Sequence, residues 1–217
     1  MEKTFFDRFL SFLLVVLVVA VLAGIGYLGY KYYEKYKINN DSAKFLDDVF
    51  DKYIEENDYD EQQAIDEQGD DETGPRGIDA DGLRYRGYLV EGKIEMPTVN
   101  LRYPILEQMT DANELEVSIA IQYGVGVNKV GNTVLIGHNY RSGLFFGSNK
   151  RMNIGDSVFI TDTATGTRIE YKIYNKYTTE ESDTSYFNRN TDGKREVSLV
   201  TCQSNNKYRL VILAREV

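Results

Sequence analysis

Residues 197–213 read VSLVTCQSNNKYRLVIL, two apolar, β-branched runs on either side of a polar loop, QSNNK. Runs of this composition favour strands, and a loop of about five residues is typical of a hairpin. Taken outward to EVSLVTC and YRLVILA, the pair places the only cysteine of the chain, Cys202, and Arg209 at the hairpin's mouth. Paired antiparallel, the two can stand opposite each other. A slip of one residue would turn one of them to the other face.

The same texture continues upstream. YRGYLVEGKIEM, NLRYPIL, NTVLIG, DSVFITD and RIEYKIYNKY are rich in β-branched and aromatic residues and are punctuated by Gly, Asn or Asp. One helical interruption is expected, at DANELEVSIAIQ, residues 111–122. Seven or more strands with so little helix predict a mainly β domain closed into a barrel rather than a doubly wound sheet. GVGVNKVG, residues 124–131, lacks the glycine spacing and the ending of a phosphate loop, and reads as a turn before the next strand.

The formal charge of −9 belongs to one place. Residues 55–72 carry ten Asp or Glu and no Lys or Arg, and elsewhere acids and bases nearly balance. No basic face argues for nucleic acid, and the acidic tract reads as a solvated linker. From Phe9 to Tyr30 the chain is uncharged, long enough as a helix to cross a bilayer. A cleaved signal peptide would have a shorter apolar core and a clearer small-x-small site than Ala23-Gly24-Ile25-Gly26, so a retained anchor is expected. Lys3 and Arg8 before the span, against Lys31, Lys35 and Lys37 after it, lean slightly toward placing the C-terminal domain inside. The expected organisation is a tail at 1–8, an anchor at 9–30, a juxtamembrane amphipathic helix at 31–57, an acidic and glycine-rich linker at 58–82, and the β domain at 83–217. In that helix Asp41 would cap a turn from which Phe45, Val49, Tyr53 and Ile54 recur at helical spacing.

The only histidine, His138, ends the apolar strand NTVLIG, so imidazole, thiol and Arg209 all fall at ends of predicted core strands. Their chemistry is complementary. A thiolate is a strong nucleophile, an imidazole moves the protons of acyl transfer, and a fixed guanidinium steadies the developing oxyanion. Two further readings belong to other classes: a β domain with Cys202 merely buried, and a serine nucleophile, Ser142, served by His138.

VLIGHN, LVTC and an arginine opening the next strand resemble the sortases, membrane-anchored cysteine transpeptidases of Gram-positive bacteria; KIEMPTVNLRYPI and NIGDSVFI add to the likeness. The resemblance covers about residues 85–217. It implies a closed eight-stranded sortase-type β-barrel with His138, Cys202 and Arg209 as the catalytic set, and with no cofactor or metal. Cys202 would attack the threonine carbonyl of an LPXTG-like sorting signal, His138 would protonate the departing amine, and Arg209 would orient the signal and stabilise the oxyanion. The implied partners are secreted proteins bearing a C-terminal LPXTG-like signal, a peptidoglycan precursor amine as acceptor, and the lipid bilayer. Such substrates lie outside the membrane, so the resemblance implies an N-terminus inside and the catalytic domain outside, against the weak lysine tilt. A cysteine hydrolase of cell-surface peptides is the competing activity, because only the acceptor differs.

Some details bear on subclass. GHN resembles class B sortases, yet the loop at about 175–195 is short and polar where class B members carry a long helical insertion, and no Asp-Pro-aromatic lid of class C is present. Asp111, Glu114 and Glu116, and likewise Glu180, Glu181 and Asp183, are similar to the calcium site of some class A members. Lacking a rigid ligand spacing, they read as charged loops. Thr201 is a weaker candidate for a substrate contact, or simply a packed β-branched residue.

Overall fold

The computed structural model describes residues 5–56, 82–203 and 206–217. Most of the stretch expected as a linker, and the middle of the QSNNK loop, lie outside them. The chain divides into two units, one ending at Asn40 and one beginning at Asp41. Helix α1 runs Phe5–Phe45. In the first unit its side chains from Phe9 to Tyr30 are all exposed, and the helix is long and apolar enough to cross a membrane. So much bare leucine, valine and phenylalanine is unfavourable in water and suits a helix surrounded by lipid.

In the second unit the helical path continues through a wider π turn, Leu46–Phe50, and ends with residues 51–56. Here the expected inward stripe holds at Phe45 and Ile54 and needs correction at Val49. Asp41 does not cap a helix; it lies within α1, where its carboxylate accepts from Arg86 at 2.7 Å. Val49 is exposed, whereas Leu46 and Phe50 are fully buried. A π turn takes up one extra residue, which rotates the following side chains by about 100°, so Phe50 rather than Val49 faces inward after Phe45. Leu46, Phe50 and Phe45 pack on Tyr85, Val90 and Leu106. Lys93 Nζ donates to Asp51 at 2.6 Å and lies 5.3 Å above the Phe50 ring, while Arg102 reaches both Asp47 and Asp51. This stretch therefore packs against the β domain.

The domain's strands are β1 (Arg84–Tyr85), β2 (Tyr88–Met96), β3 (Leu101–Gln108), β4 (Ile119–Gly124), β5 (Gly131–Ile136), β6 (Ser157–Asp162), β7 (Arg168–Glu180), β8 (Arg195–Gln203) and β9 (Tyr208–Glu216). Their order in the sheet is β1-β2-β3-β4-β5-β8-β9-β7-β6, and β2 also pairs with β6. That last pairing closes β2 to β9 into the expected eight-stranded barrel, with β1 outside the closure. Two neighbouring pairs, β3 with β4 and β5 with β8, run parallel.

The helix expected over 111–122 shrinks to a single turn, α2 (Asn113–Val117), and Ile119 to Gly124 form a strand. The strand carries the buried Ile119, Ala120 and Ile121, which pair with β3 on one side and β5 on the other. Pairing on both edges overrides the helical tendency of the preceding Glu-Leu-Glu. The turn at 124–131 does precede the histidine strand. Alternation sorts the wall β5–β8–β9 into two faces. Leu135, Leu199 and Ile212 point one way and are fully buried, while Val134, Val200 and Val211 point the other way and meet Tyr186 from the β7–β8 loop.

Candidate active site

The hairpin of β8 and β9 is in the register that sets Cys202 directly opposite Arg209. Residues opposite each other in an antiparallel pair project to the same face, so thiol and guanidinium share one side of the wall. On the other flank of β8, the parallel pairing with β5 runs from Gly131 opposite Arg195 to Ile136 opposite Val200. Two residues further, the same offset brings His138 abreast of Cys202.

Hydrogen bonds carry that offset past the end of β5. The Gly137 N–H donates to the Val200 carbonyl at 3.2 Å, the Thr201 hydroxyl donates to the Gly137 carbonyl at 2.6 Å, and the Asn139 amide donates to the Cys202 carbonyl at 2.7 Å. Thr201 is 1% exposed, so its hydroxyl is a clamp between β8 and the histidine strand rather than a substrate contact. The three residues singled out from the sequence thus come together at one end of the β5–β8–β9 wall, all half-buried. Ser142 sits at an exposed turn further along the His138 loop.

Arg209 is held from several sides. One terminal nitrogen donates to the carbonyls of Asn206 and Tyr208 at 2.9 and 3.2 Å, and the other to Glu181 at 2.5 Å. Its side chain is only 14% exposed. Beside it an open recess of about 350 Å³ is bounded by Glu180, Glu181, Ser182, Lys207 and Tyr208. Beneath it, burial holds the Tyr186 phenol above its ordinary value, with the Arg209 charge pulling the other way.

The loop 181–194 is therefore more than the short polar connection expected. Tyr186 is 3% exposed, and Phe187 stacks on Tyr123 at 4.9 Å. Asn132 ties it down: its amide donates to the carbonyls of Tyr186 and Phe187 at 2.8 and 3.0 Å, and its oxygen accepts from Ser198 at 3.0 Å. At the loop's far end Arg189 pairs with Glu196, whose side chain is fully buried and also binds Arg215 at 2.5 Å and the Tyr174 hydroxyl at 2.9 Å. None of these anchors announces itself in sequence, because each is an ordinary polar residue whose partner is set by the barrel register.

The His138 loop is fixed as tightly. The Phe146 N–H donates to the His138 carbonyl at 3.1 Å and the Gly143 N–H to the Tyr140 carbonyl at 2.9 Å. A Cβ at Gly147 would lie 2.2 Å from that Tyr140 carbonyl oxygen, so only glycine fits. Tyr103 lies under the loop with its ring 5.1 Å from Phe145, its phenol pushed up to about 12 by burial.

The two acid groupings also resolve. Glu114 is buried and accepts from the Thr110 N–H and hydroxyl at 3.1 and 3.2 Å, so it is no solvated loop residue. Asp111 accepts from the Asn113 N–H at 2.6 Å, and Glu116 faces His138 and Tyr140. In the second grouping Glu181 holds Arg209, while Asp183 accepts from the Thr179 hydroxyl at 2.5 Å and the Ser185 N–H at 2.8 Å.

A family model for the sortase domain matches residues 94–217, a stretch that contains all three site residues. The chain belongs to the sortase family. Over 126 residues this sortase is 29% identical to sortase A of Bacillus anthracis, a match covering 57% of the chain and 58% of that relative's length. Its fold is similar to a sortase D5 transpeptidase from Clostridium perfringens, with TM-score 0.59 and 20% identity over 82% of this chain and 99% of that one. It is also similar to a lid mutant of sortase A from Corynebacterium diphtheriae, with TM-score 0.56 and 21% identity over 78% and 94% of the two chains. The same barrel recurs in sortases named A, C and D5, so the architecture is not particular to one class.

Proposed function

We propose that this sortase is a membrane-anchored cysteine transpeptidase that cleaves an LPXTG-like sorting signal and passes the freed acyl group to an amine of a peptidoglycan precursor. The observation that carries the reading is the register of β8, which has Arg209 opposite Cys202 on one side and His138 abreast of it on the other. Cys202 attacks the threonine carbonyl carbon as its thiolate; a C–S bond forms, and the C–N bond to the next residue breaks. His138 supplies the proton to the departing amine. The incoming amine then attacks the thioester, gives its proton to His138 and releases the Cys202 thiolate. In this reading Arg209 donates to the carbonyl oxygen as it gains charge, a fixed donor of the kind that lowers such barriers by several kcal/mol.

The apolar span at 9–30 suits the anchor of such an enzyme. We place the N-terminus inside and the barrel outside, where sorting signals and cell-wall precursors meet. The test incubates the full chain in detergent with a panel of LPXTG-like peptides, with and without an added amine, and weighs the products. A thioester on Cys202 that the amine resolves to a ligated peptide is expected. Release of free acid regardless of amine would instead make the enzyme a hydrolase, and an unmodified thiol would refute both. Protease treatment of intact cells checks the orientation: digestion of the barrel is expected, and full shielding would reverse it.

A further inference from the structure

The His138 imidazole does not stand alone. Its Nε2 lies 3.0 Å from Glu116 Oε1, and the other oxygen of the same carboxylate accepts from the Tyr140 hydroxyl at 2.8 Å. The rings of His138 and Tyr140 lie 5.1 Å apart, and Tyr140 rests on Phe145 at 5.8 Å. The base of this arrangement is rigid. Glu116 stands on the single turn α2, whose Glu114 is buried and bonded to Thr110 and whose next residue, Ser118, donates to the Pro104 carbonyl at 2.6 Å. Glu114 and Glu116 are two apart on that turn, which sends one carboxylate into the core and the other toward the histidine.

We infer that Glu116 is a positioning residue: it fixes the His138 tautomer with the proton on Nε2 and so leaves Nδ1 as the nitrogen that exchanges protons at Cys202. A carboxylate accepts and does not donate, so a neutral imidazole facing it must present Nε2–H. The same division of labour, a carboxylate orienting an imidazole that serves a nucleophile, recurs on unrelated hydrolase folds. Here the carboxylate comes from the β3–β4 connection and is steadied by a tyrosine of the histidine's own loop. The inference rests on the proposed role of His138.

The chain's single histidine makes the test direct. The full chain, purified through a histidine-free tag and labelled with ¹⁵N, gives one imidazole in a two-bond ¹H–¹⁵N correlation spectrum. The parent should show the Nε2–H pattern, and Glu116→Ala should shift toward a mixture with Nδ1–H. In parallel, Glu116→Ala should lose about tenfold in kcat toward a sorting peptide with KM unchanged, the scale of one charge-assisted hydrogen bond. Glu116→Gln, whose amide oxygen can still accept from Nε2–H, should recover most of both. An imidazole spectrum identical in Glu116→Ala and the parent overturns the inference, as does a Gln variant as impaired as the Ala variant. Failure of Cys202 to acylate counts against the proposed activity and leaves the spectral comparison to decide this point separately.

Discussion

Thr201 shows how one hydroxyl can set a site. Its partner, the Gly137 carbonyl, lies 64 residues earlier, and the bond binds the strand of the thiol to the residue just before the histidine. Thr201→Val keeps the shape and removes the donor, so urea unfolding should show a loss of about 1–3 kcal/mol for a buried acceptor left unpaired. Acylation should slow as well, because His138 loses its brace. In sequence Thr201 reads as a weaker candidate for a substrate contact or a packed β-branched residue; no local pattern links it to Gly137. Glu114 makes a prediction about pH. The Thr110 N–H, with its hydroxyl, holds the Glu114 carboxyl below its ordinary value of 4.5. Because the folded value lies below the unfolded one, the stabilisation is complete above pH 4.5 and fades as pH falls through the folded value. Glu114→Gln should therefore be less stable than the parent at neutral pH, with the gap between their urea midpoints closing at acid pH.

At the scale of elements, the loop 181–194 is held to the wall by a buried charge cluster. Glu196→Ala would leave the guanidinium groups of Arg189 and Arg215 without their shared carboxylate, a change that typically costs about 3–5 kcal/mol. Chemical denaturation should register that loss, and KM for a sorting peptide should rise as Tyr186 loosens near Cys202. The sequence made the hairpin of β8 and β9 plain, since both strands are continuous apolar runs and their loop has hairpin length. It concealed β4, because Glu-Leu-Glu-Val runs straight into Ser-Ile-Ala-Ile, and only pairing with β3 and β5 decides where helix stops and strand begins. The loop's apolar content was concealed for a related reason: two aromatic residues among many polar ones declare themselves only once a hydrophobic floor lies beneath them.

For the whole molecule, the helical stretch after Asp41 is part of the domain's core rather than a bystander. Phe50→Ala should cost about 3–5 kcal/mol through the cavity it leaves. For a chain of this size that lowers Tm by about 2–4 °C for each kcal/mol, readable by near-ultraviolet circular dichroism in detergent. The sequence carried the class of the domain and its closing hairpin, while the π turn that brings Phe50 rather than Val49 inward follows from packing that no periodicity announces. The barrel's connectivity has one more consequence. β8 and β9 follow β7 in the chain yet lie between β5 and β7 in the wall. The thiol and Arg209 therefore come alongside His138 only when this last pair of strands inserts between β5 and β7. If Cys202 and His138 act as proposed, maturation itself is the safety catch on the sulfhydryl.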